Sequence, residues 1–122
     1  MSAFREALTL HKAGDLSGAE AAYRRALAEG ETDRACGNLG VVLRALGRPQ
    51  EAEQQLLRAC ELAPHRATYR YNLGNLYWAT GRAAEALAAY DTAYGLDPDE
   101  AGLKANLASA AILAGREAEA GR

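Results

Sequence analysis

Apolar residues in this chain recur at intervals of three and four, the spacing of one face of an α-helix, within short segments. One stripe lies between residues 67 and 80 and a second between residues 84 and 96, with large side chains at Leu73, Leu76, Tyr77, Leu87, Tyr90 and Tyr94. Gly81 separates the segments and Asp97-Pro98 follows the second, and both signals end helices. The pattern predicts two short antiparallel helices joined by about three residues.

This two-helix pattern recurs every 34 residues. The tripeptide at residues 38–40, Asn-Leu-Gly, returns at residues 72–74 and, as Asn-Leu-Ala, at residues 106–108. Gly47, Gly81 and Gly115 keep the same step. The period predicts a single array with units at residues 1–32, 33–66 and 67–100, then a partial fourth unit or a capping helix at residues 101–122. The stretch up to Arg122 is expected to begin a second helix of that fourth unit.

Composition favours an all-α fold. Among 122 residues there are 29 Ala and 17 Leu, whereas Val, Ile and Thr together supply eight. Alanine and leucine are strong helix formers, and strands favour the β-branched residues that are scarce here. A chain of this length has room for one domain.

The 34-residue unit resembles the tetratricopeptide repeat, and the resemblance covers essentially the whole chain. It is carried in residues 67–100 by Leu73-Gly74, Tyr77, Gly81, Ala86, Tyr90, Ala93 and Pro98, and in residues 33–66 by Leu39-Gly40, Leu43, Gly47, Ala52, Leu56, Ala59 and Pro64. The first unit departs from the pattern, with Glu6-Ala7 in place of Leu-Gly. The resemblance implies an α-solenoid of antiparallel helix pairs, a right-handed superhelix whose first helices line a concave groove. Members of the family are typically scaffolds that bind peptides or proteins.

Asparagine recurs on the predicted groove side of the first helices, at Asn38, Asn72 and Asn106, with Asn75 on the same stripe. An asparagine amide offers two donors and an acceptor, which match a peptide bond whatever the side chains of the partner. Equivalent helices about 10 Å apart would place one asparagine near every third residue of an extended peptide. These residues are therefore predicted to bind a peptide backbone. The alternative is that asparagine is merely common at this position of the repeat family and has no role in binding.

Charge and aromatic residues suggest what such a groove would bind. The first helices carry six basic residues against two acidic ones, and the second helices seven acidic against three basic. Arg34 and Arg44 are therefore predicted to favour a neutral to acidic extended segment, unless this is ordinary solvated charge. Tyr71 and Trp78 lie seven residues apart, on one helical face, and are candidate anchors. Whether Trp78 faces the groove or the core is left open, whereas Tyr77 and Tyr90 are expected in the core.

Several function classes lack support in the sequence. A net charge of −2 disfavours a nucleic-acid binder, and no apolar run is long enough to span a membrane. No catalytic motif or metal-ligand cluster is present, so we expect no enzyme activity, cofactor or metal. Cys36 and Cys60 are expected to be a reduced buried pair, and His11 a solvated edge residue. A bacterial, cytoplasmic protein fits best.

The sequence therefore predicts a protein–protein interaction scaffold. Two other hypotheses remain. The chain could be the N-terminal recruitment or oligomerisation region of a larger bacterial enzyme such as a glycosyltransferase. Alternatively, the protein could self-associate through an apolar edge of its C-terminal end, where Leu107, Ile112 and Leu113 have no following unit.

Overall fold

The computed structural model describes residues 2–121, and every regular element among them is an α-helix. The all-α prediction is therefore confirmed. The helices are α1 (Ala3–Lys12), α2 (Leu16–Glu29), α3 (Asp33–Ala45), α4 (Pro49–Leu62), α5 (Ala67–Ala79), α6 (Ala83–Leu96) and α7 (Leu103–Ala120). They form two compact units, residues 1–64 with α1 to α4 and residues 65–122 with α5 to α7. Met1 and Arg122 lie outside the described residues.

Local signals fix where the helices begin and end. The side chains of Ser2, Asp15 and Thr32 each accept a hydrogen bond from a backbone N–H in the first turn of α1, α2 and α3. Pro49 opens α4, where its missing N–H costs nothing. Gly47 and Gly81 have φ near +78°, which residues with a Cβ rarely adopt, and both lie in the short turn before a second helix.

Residues 1–64 pack as successive antiparallel helices, with α1 against α2, α2 against α3 and α3 against α4. The largest buried side chains there are Tyr23, Leu39, Leu43, Leu56, Val42 and Cys36. Gly40 allows α3 and α4 to approach closely, because a Cβ atom at that position would lie 2.6 Å from Leu56 Cγ.

Residues 65–122 form a hairpin of α5 and α6, with α7 packed on α6. Tyr90, Leu73, Leu76 and Leu103 are its large buried side chains. Gly74 has the same role as Gly40, since a Cβ atom there would lie 2.4 Å from the ring of Tyr90. Tyr77 and Tyr90 are both buried, as expected from the sequence.

The last helix differs from the sequence-based expectation. α3 and α5 end before Gly47 and Gly81, but α7 continues through Gly115 to Ala120 as one helix of 18 residues. No second helix begins within residues 101–121. Arg48-Pro49 follows Gly47, whereas Gly115 is followed by Arg-Glu-Ala-Glu-Ala, which favours continued helix.

Candidate functional site

In residues 1–64 the candidate binding surface is formed by side chains of α1 and α3, and we call it the α1–α3 face. It contains Phe4, Leu8, His11, Arg34, Asn38 and Val41, of which Arg34 and Val41 are exposed and the others half-buried. The Arg34 guanidinium carbon lies 5.1 Å from the centroid of the Phe4 ring, within the range of a cation–π interaction. This contact joins the two helices across the face.

Tyr23 of α2 lies beneath the α1–α3 face and binds to both of its helices. Its hydroxyl lies 3.1 Å from His11 Nδ1, and it is also hydrogen-bonded to the Asn38 side chain. Burial raises the pKa of Tyr23 above its usual value of 10, opposed by the bond from Asn38 and by the charge of Arg34. The phenol is therefore neutral at ordinary pH.

The α1–α3 face is basic at both ends of α3. Arg34 and Arg44 are exposed, and Arg34 borders a surface depression of about 470 Å³ that Phe4, Ala26, Thr32 and Ala35 also line. The Phe4 ring lies beside the Arg34 guanidinium, and Arg44 adds a second positive charge at the other end of α3. Glu29 and Asp33 also line the depression, so acidic side chains of a ligand would favour the guanidinium groups and not the depression itself.

In residues 65–122 the corresponding surface is formed by α5 and α7, and we call it the α5–α7 face. It contains Tyr71, Asn72, Asn75, Trp78, Asn106 and Ile112. The Tyr90 hydroxyl donates a hydrogen bond of 2.6 Å to Asn75 Oδ1. Asn106 Nδ2 lies 3.1 Å from the Tyr71 hydroxyl and donates to Asn75 Oδ1 at 3.2 Å. The rings of Tyr71 and Tyr90 are 6.0 Å apart, so the four side chains form one network.

The two faces share a construction. In each, a buried tyrosine of a second helix, Tyr23 or Tyr90, is linked to polar side chains on the first helices at either side of it. Asn106 stands 68 residues after Asn38, two periods of the repeat. Asn38, Asn72, Asn75 and Asn106 are all half-buried.

Hydrogen-bonding capacity remains at the surface of the α5–α7 face. The bonds described above use Asn75 Oδ1 and Asn106 Nδ2, so the Asn75 N–H groups and the Asn106 carbonyl oxygen are unused, and Asn72 has no side-chain hydrogen bond within its unit. Among residues 2–121 no buried side-chain nitrogen or oxygen lacks a partner. The unused amide groups therefore reach the solvent, where a ligand could bind them.

Trp78 is 42% exposed and Ile112 57% exposed, both large for apolar side chains. They stand one period apart and share the register of exposed Arg44 in α3. Trp78 therefore lies at the surface and not in the core, the alternative that the sequence left open. Ile112 was assigned from the sequence only to the edge of the last helix, but its register groups it with Trp78.

The structure brings together some of the predicted site residues. Tyr71, Asn75 and Asn106 are in contact, and Arg34 and Asn38 lie on one face. Asn38 belongs to the first unit and Asn72 and Asn106 to the second, so a continuous series of asparagines stays a prediction. Sequence analysis missed the roles of Phe4, Tyr23 and Tyr90, and it placed His11 in solvent although this ring binds Tyr23.

The two cysteines are buried and belong to neither face. Burial raises the pKa of Cys36 to about 11, which keeps its thiol protonated, and both cysteines are buried and free. Within residues 2–121 no three His, Cys, Asp or Glu side chains cluster as metal ligands would. None of the helices in this stretch combines the length and the apolar character that crossing a membrane requires.

Solved structures similar to this chain include an O-GlcNAc transferase mutant and MamA. An O-GlcNAc transferase mutant (K341M) of Thermobaculum terrenum is 29% identical over 88% of this chain, with a TM-score of 0.82, but the match spans only 21% of that protein. MamA is 21% identical over 93% of this chain and 67% of its own, with a TM-score of 0.87. These likenesses support the predicted α-solenoid of antiparallel helix pairs. No curated protein sequence matches the chain.

The sequence signature described as Tetratricopeptide repeat matches residues 4–67, 38–101 and 71–121. The three matches cover nearly the whole chain and follow the period seen in the helices and in the buried small residues. This chain belongs to the tetratricopeptide repeat family.

Proposed function

We propose that the protein is a non-catalytic scaffold that binds an extended segment of a partner protein on the side formed by its first helices. The observation that carries this proposal is the α5–α7 face, where unused amide groups of Asn72 and Asn75 reach the surface beside exposed Trp78. Amides pair with the backbone of any extended peptide, and an exposed tryptophan supplies apolar contact area. Arrays of this family are in general interaction scaffolds, which agrees with the proposal.

The α1–α3 face favours a different kind of segment. Exposed Arg34 and Arg44 attract carboxylates, and the Phe4 ring offers an apolar surface next to Arg34. We propose that segments with acidic side chains are preferred there, while the α5–α7 face contacts backbone and apolar side chains. No nucleic acid or membrane is expected as a partner.

Ligand binding can be followed through the fluorescence of Trp78, because it is the single tryptophan of the chain. Peptides selected from a displayed library of random ten-residue segments are titrated against the protein while tryptophan emission is followed. Asn72→Ala should weaken the binding of the selected peptides by about two- to tenfold. Each lost hydrogen bond costs about 0.5–1.5 kcal/mol of binding free energy, which corresponds to this range. The matched control is Gln54→Ala, which removes an exposed amide from α4.

Charge is tested separately. Arg34→Gln and Arg44→Gln should weaken the binding of acidic peptides more than that of neutral ones. Added salt should reduce this difference in affinity, because salt screens exposed charges. Arg116→Gln, at an exposed position of α7, is the control. Selected peptides that leave Trp78 emission unchanged, and that bind the asparagine and arginine variants normally, would show that binding uses another surface.

A second candidate function is recruitment within a larger enzyme. It is favoured by the likeness to the O-GlcNAc transferase, where the matching part is 21% of the chain. The full-length gene decides this directly. An open reading frame without a catalytic domain would contradict it, and one that encodes a glycosyltransferase domain would support it.

A further inference from the structure

The hydrogen-bond network of the α5–α7 face has a direction. Asn75 Oδ1 accepts hydrogen bonds from the Tyr90 hydroxyl, at 2.6 Å, and from Asn106 Nδ2, at 3.2 Å. Asn106 Nδ2 also donates to the Tyr71 hydroxyl at 3.1 Å, so its two N–H groups have one acceptor each. The donors in these bonds thus belong to α6 and α7, and the acceptors to α5.

The Tyr90 hydroxyl favours this direction over its reverse. If both amides turned by 180°, Asn75 Nδ2 would donate to Asn106 Oδ1, and the Tyr71 O–H would donate to the same oxygen. The two asparagines would be satisfied as before. The Tyr90 hydroxyl, however, would face the Asn75 N–H groups and lose Asn75 Oδ1 as its acceptor. Its ring is buried, 1% exposed, and cannot turn to follow the amide.

The direction of the network determines which groups point outward. Both Asn75 N–H groups are left as donors on α5, and the Tyr71 O–H, four residues earlier on the same side of the helix, is a further donor. The carbonyl oxygen of Asn106 is left as an acceptor on α7. The α5–α7 face therefore offers donors along one helix and an acceptor on the other.

We propose that the Tyr90 hydroxyl fixes the polarity of the α5–α7 face and thereby selects the ligand groups that this face binds. A ligand then presents acceptors, such as backbone carbonyl oxygens, to α5 and a donor, such as a backbone N–H group, to α7. Tyr90 is buried and acts through Asn75 and Asn106, so it is a positioning residue. The selection of ligand groups rests on the proposed function, whereas the fixed polarity is a property of the free protein.

The polarity is tested without a ligand, by NMR on the isotope-labelled full chain. Exchange with water is measured separately for the side-chain amide protons of Asn75 and Asn106. Hydrogen-bonded protons are protected, so the Asn106 amide should exchange at least about threefold more slowly than the Asn75 amide. Tyr90→Phe keeps the ring and removes the donor, so both directions of the network become populated. The Asn106 amide should then exchange faster and the Asn75 amide more slowly.

Tyr94→Phe is the matched control, because it removes an exposed hydroxyl from the same helix. It should leave both exchange rates unchanged, and the Asn72 amide, which is outside the network, should keep its rate in every variant. Equal exchange of the Asn75 and Asn106 amides in the unmodified protein would overturn the proposal. So would a Tyr90→Phe variant in which both amides exchange faster alike, because Tyr90 would then serve packing only.

Ligand selection is tested with the tightest library peptide whose affinity depends on Asn72. One backbone amide at a time is replaced by an ester, which removes the N–H group and keeps the carbonyl oxygen. We expect one ester to weaken binding by about two- to tenfold, the effect of a lost hydrogen bond. This loss should be at least halved in Tyr90→Phe, because Asn106 can then turn its N–H groups toward the ester.

The two measurements separate this inference from the proposed function. An ester loss that is the same in Tyr90→Phe and in the unmodified protein would overturn the selection of ligand groups by polarity. If no library peptide bound the protein, the proposed function would fail, and the exchange rates of Asn75 and Asn106 would still decide whether Tyr90 fixes the polarity of the face.

Discussion

At the scale of single residues, Gly74 allows α5 to approach Tyr90 of α6 closely. A Cβ atom at Gly74 would lie 2.4 Å from the ring, whose hydroxyl is fixed by Asn75. We predict that Gly74→Ala lowers the free energy of unfolding by about 1–3 kcal/mol, because the ring or the helix must shift. Urea unfolding followed by circular dichroism measures it.

Gly115→Ala is the control for this prediction. Gly115 lies inside α7 with no atom within 4 Å of an added Cβ. Alanine there should raise stability by about 0.5–1 kcal/mol, through helix propensity alone. If both variants were stabilised alike, Gly74 would not be needed for close packing.

The tyrosine hydroxyls give a second prediction at this scale. Tyr90→Phe removes the donor to Asn75 Oδ1 and leaves the buried ring in place. The loss should be about 0.5–1.5 kcal/mol of unfolding free energy. Tyr94→Phe, at a 37% exposed tyrosine of the same helix, should have no effect on the same measurement. Equal stability of the two variants would mean that the Tyr90 bond contributes nothing net.

The sequence predicted the burial of Tyr77 and Tyr90, but not that of Tyr23, nor the hydrogen bonds of the asparagines. Gly40 and Gly74 were recognisable because their position in the repeat is fixed. The partners of Asn38 and Asn106 depend on where a tyrosine hydroxyl ends after the ring has packed, and that is a tertiary property. The exposure of Trp78 could not be predicted for the same reason.

At the scale of helices, the prediction from periodicity was close. The helices expected at residues 67–80 and 84–96 are observed at Ala67–Ala79 and Ala83–Leu96. The break that the repeat predicts at Gly115 within α7 was not observed, because Gly115 is compatible with either a turn or a helix. The residues after it favour the helix, and within residues 2–121 no further element packs there to impose a turn.

The exposed side of α7 leads to a prediction on amide exchange. α7 has two buried residues, Leu103 and Ala110, whereas the shorter α5 has six. The backbone amides of α7 should therefore exchange with solvent faster than those of α5, most strongly after Ala111. Hydrogen exchange with mass spectrometry or NMR measures this at low protein concentration. Equal protection of α7 and α5 in a monomer would show that buried area does not limit opening here.

At the scale of the whole chain, the partition of charge between first and second helices was visible in the sequence, but the ion pairs were not. Glu20 of α2 accepts hydrogen bonds from Arg48, at 2.7 Å, and from Arg24, at 3.0 Å. Arg58 of α4 reaches Glu31 in the loop before α3. The bonds of Arg48 with Glu20 and of Arg58 with Glu31 join residues 28 and 27 positions apart, so periodicity alone could not pair them.

The ion pairs predict how stability depends on pH. The hydrogen bond from Arg48, helped by Arg24, lowers the pKa of Glu20 below its usual value of 4.5, against the effect of burial. A carboxyl whose pKa is lower in the folded state stabilises the fold above pH 4.5, and this contribution is lost as the pH falls through the folded value. Glu20→Gln should therefore be less stable than the unmodified protein near neutral pH, and the two should converge in acid. Urea unfolding at pH values from about 7 to about 3 measures the difference, and added salt should reduce it at neutral pH.

Glu119→Gln is the control, because it removes the same charge from an exposed position of α7. Its free energy of unfolding should follow that of the unmodified protein across the pH range. A difference between Glu20→Gln and the unmodified protein that stayed constant across the pH range would mean that the shape of this side chain, and not its charge, links α2 to the turn before α4.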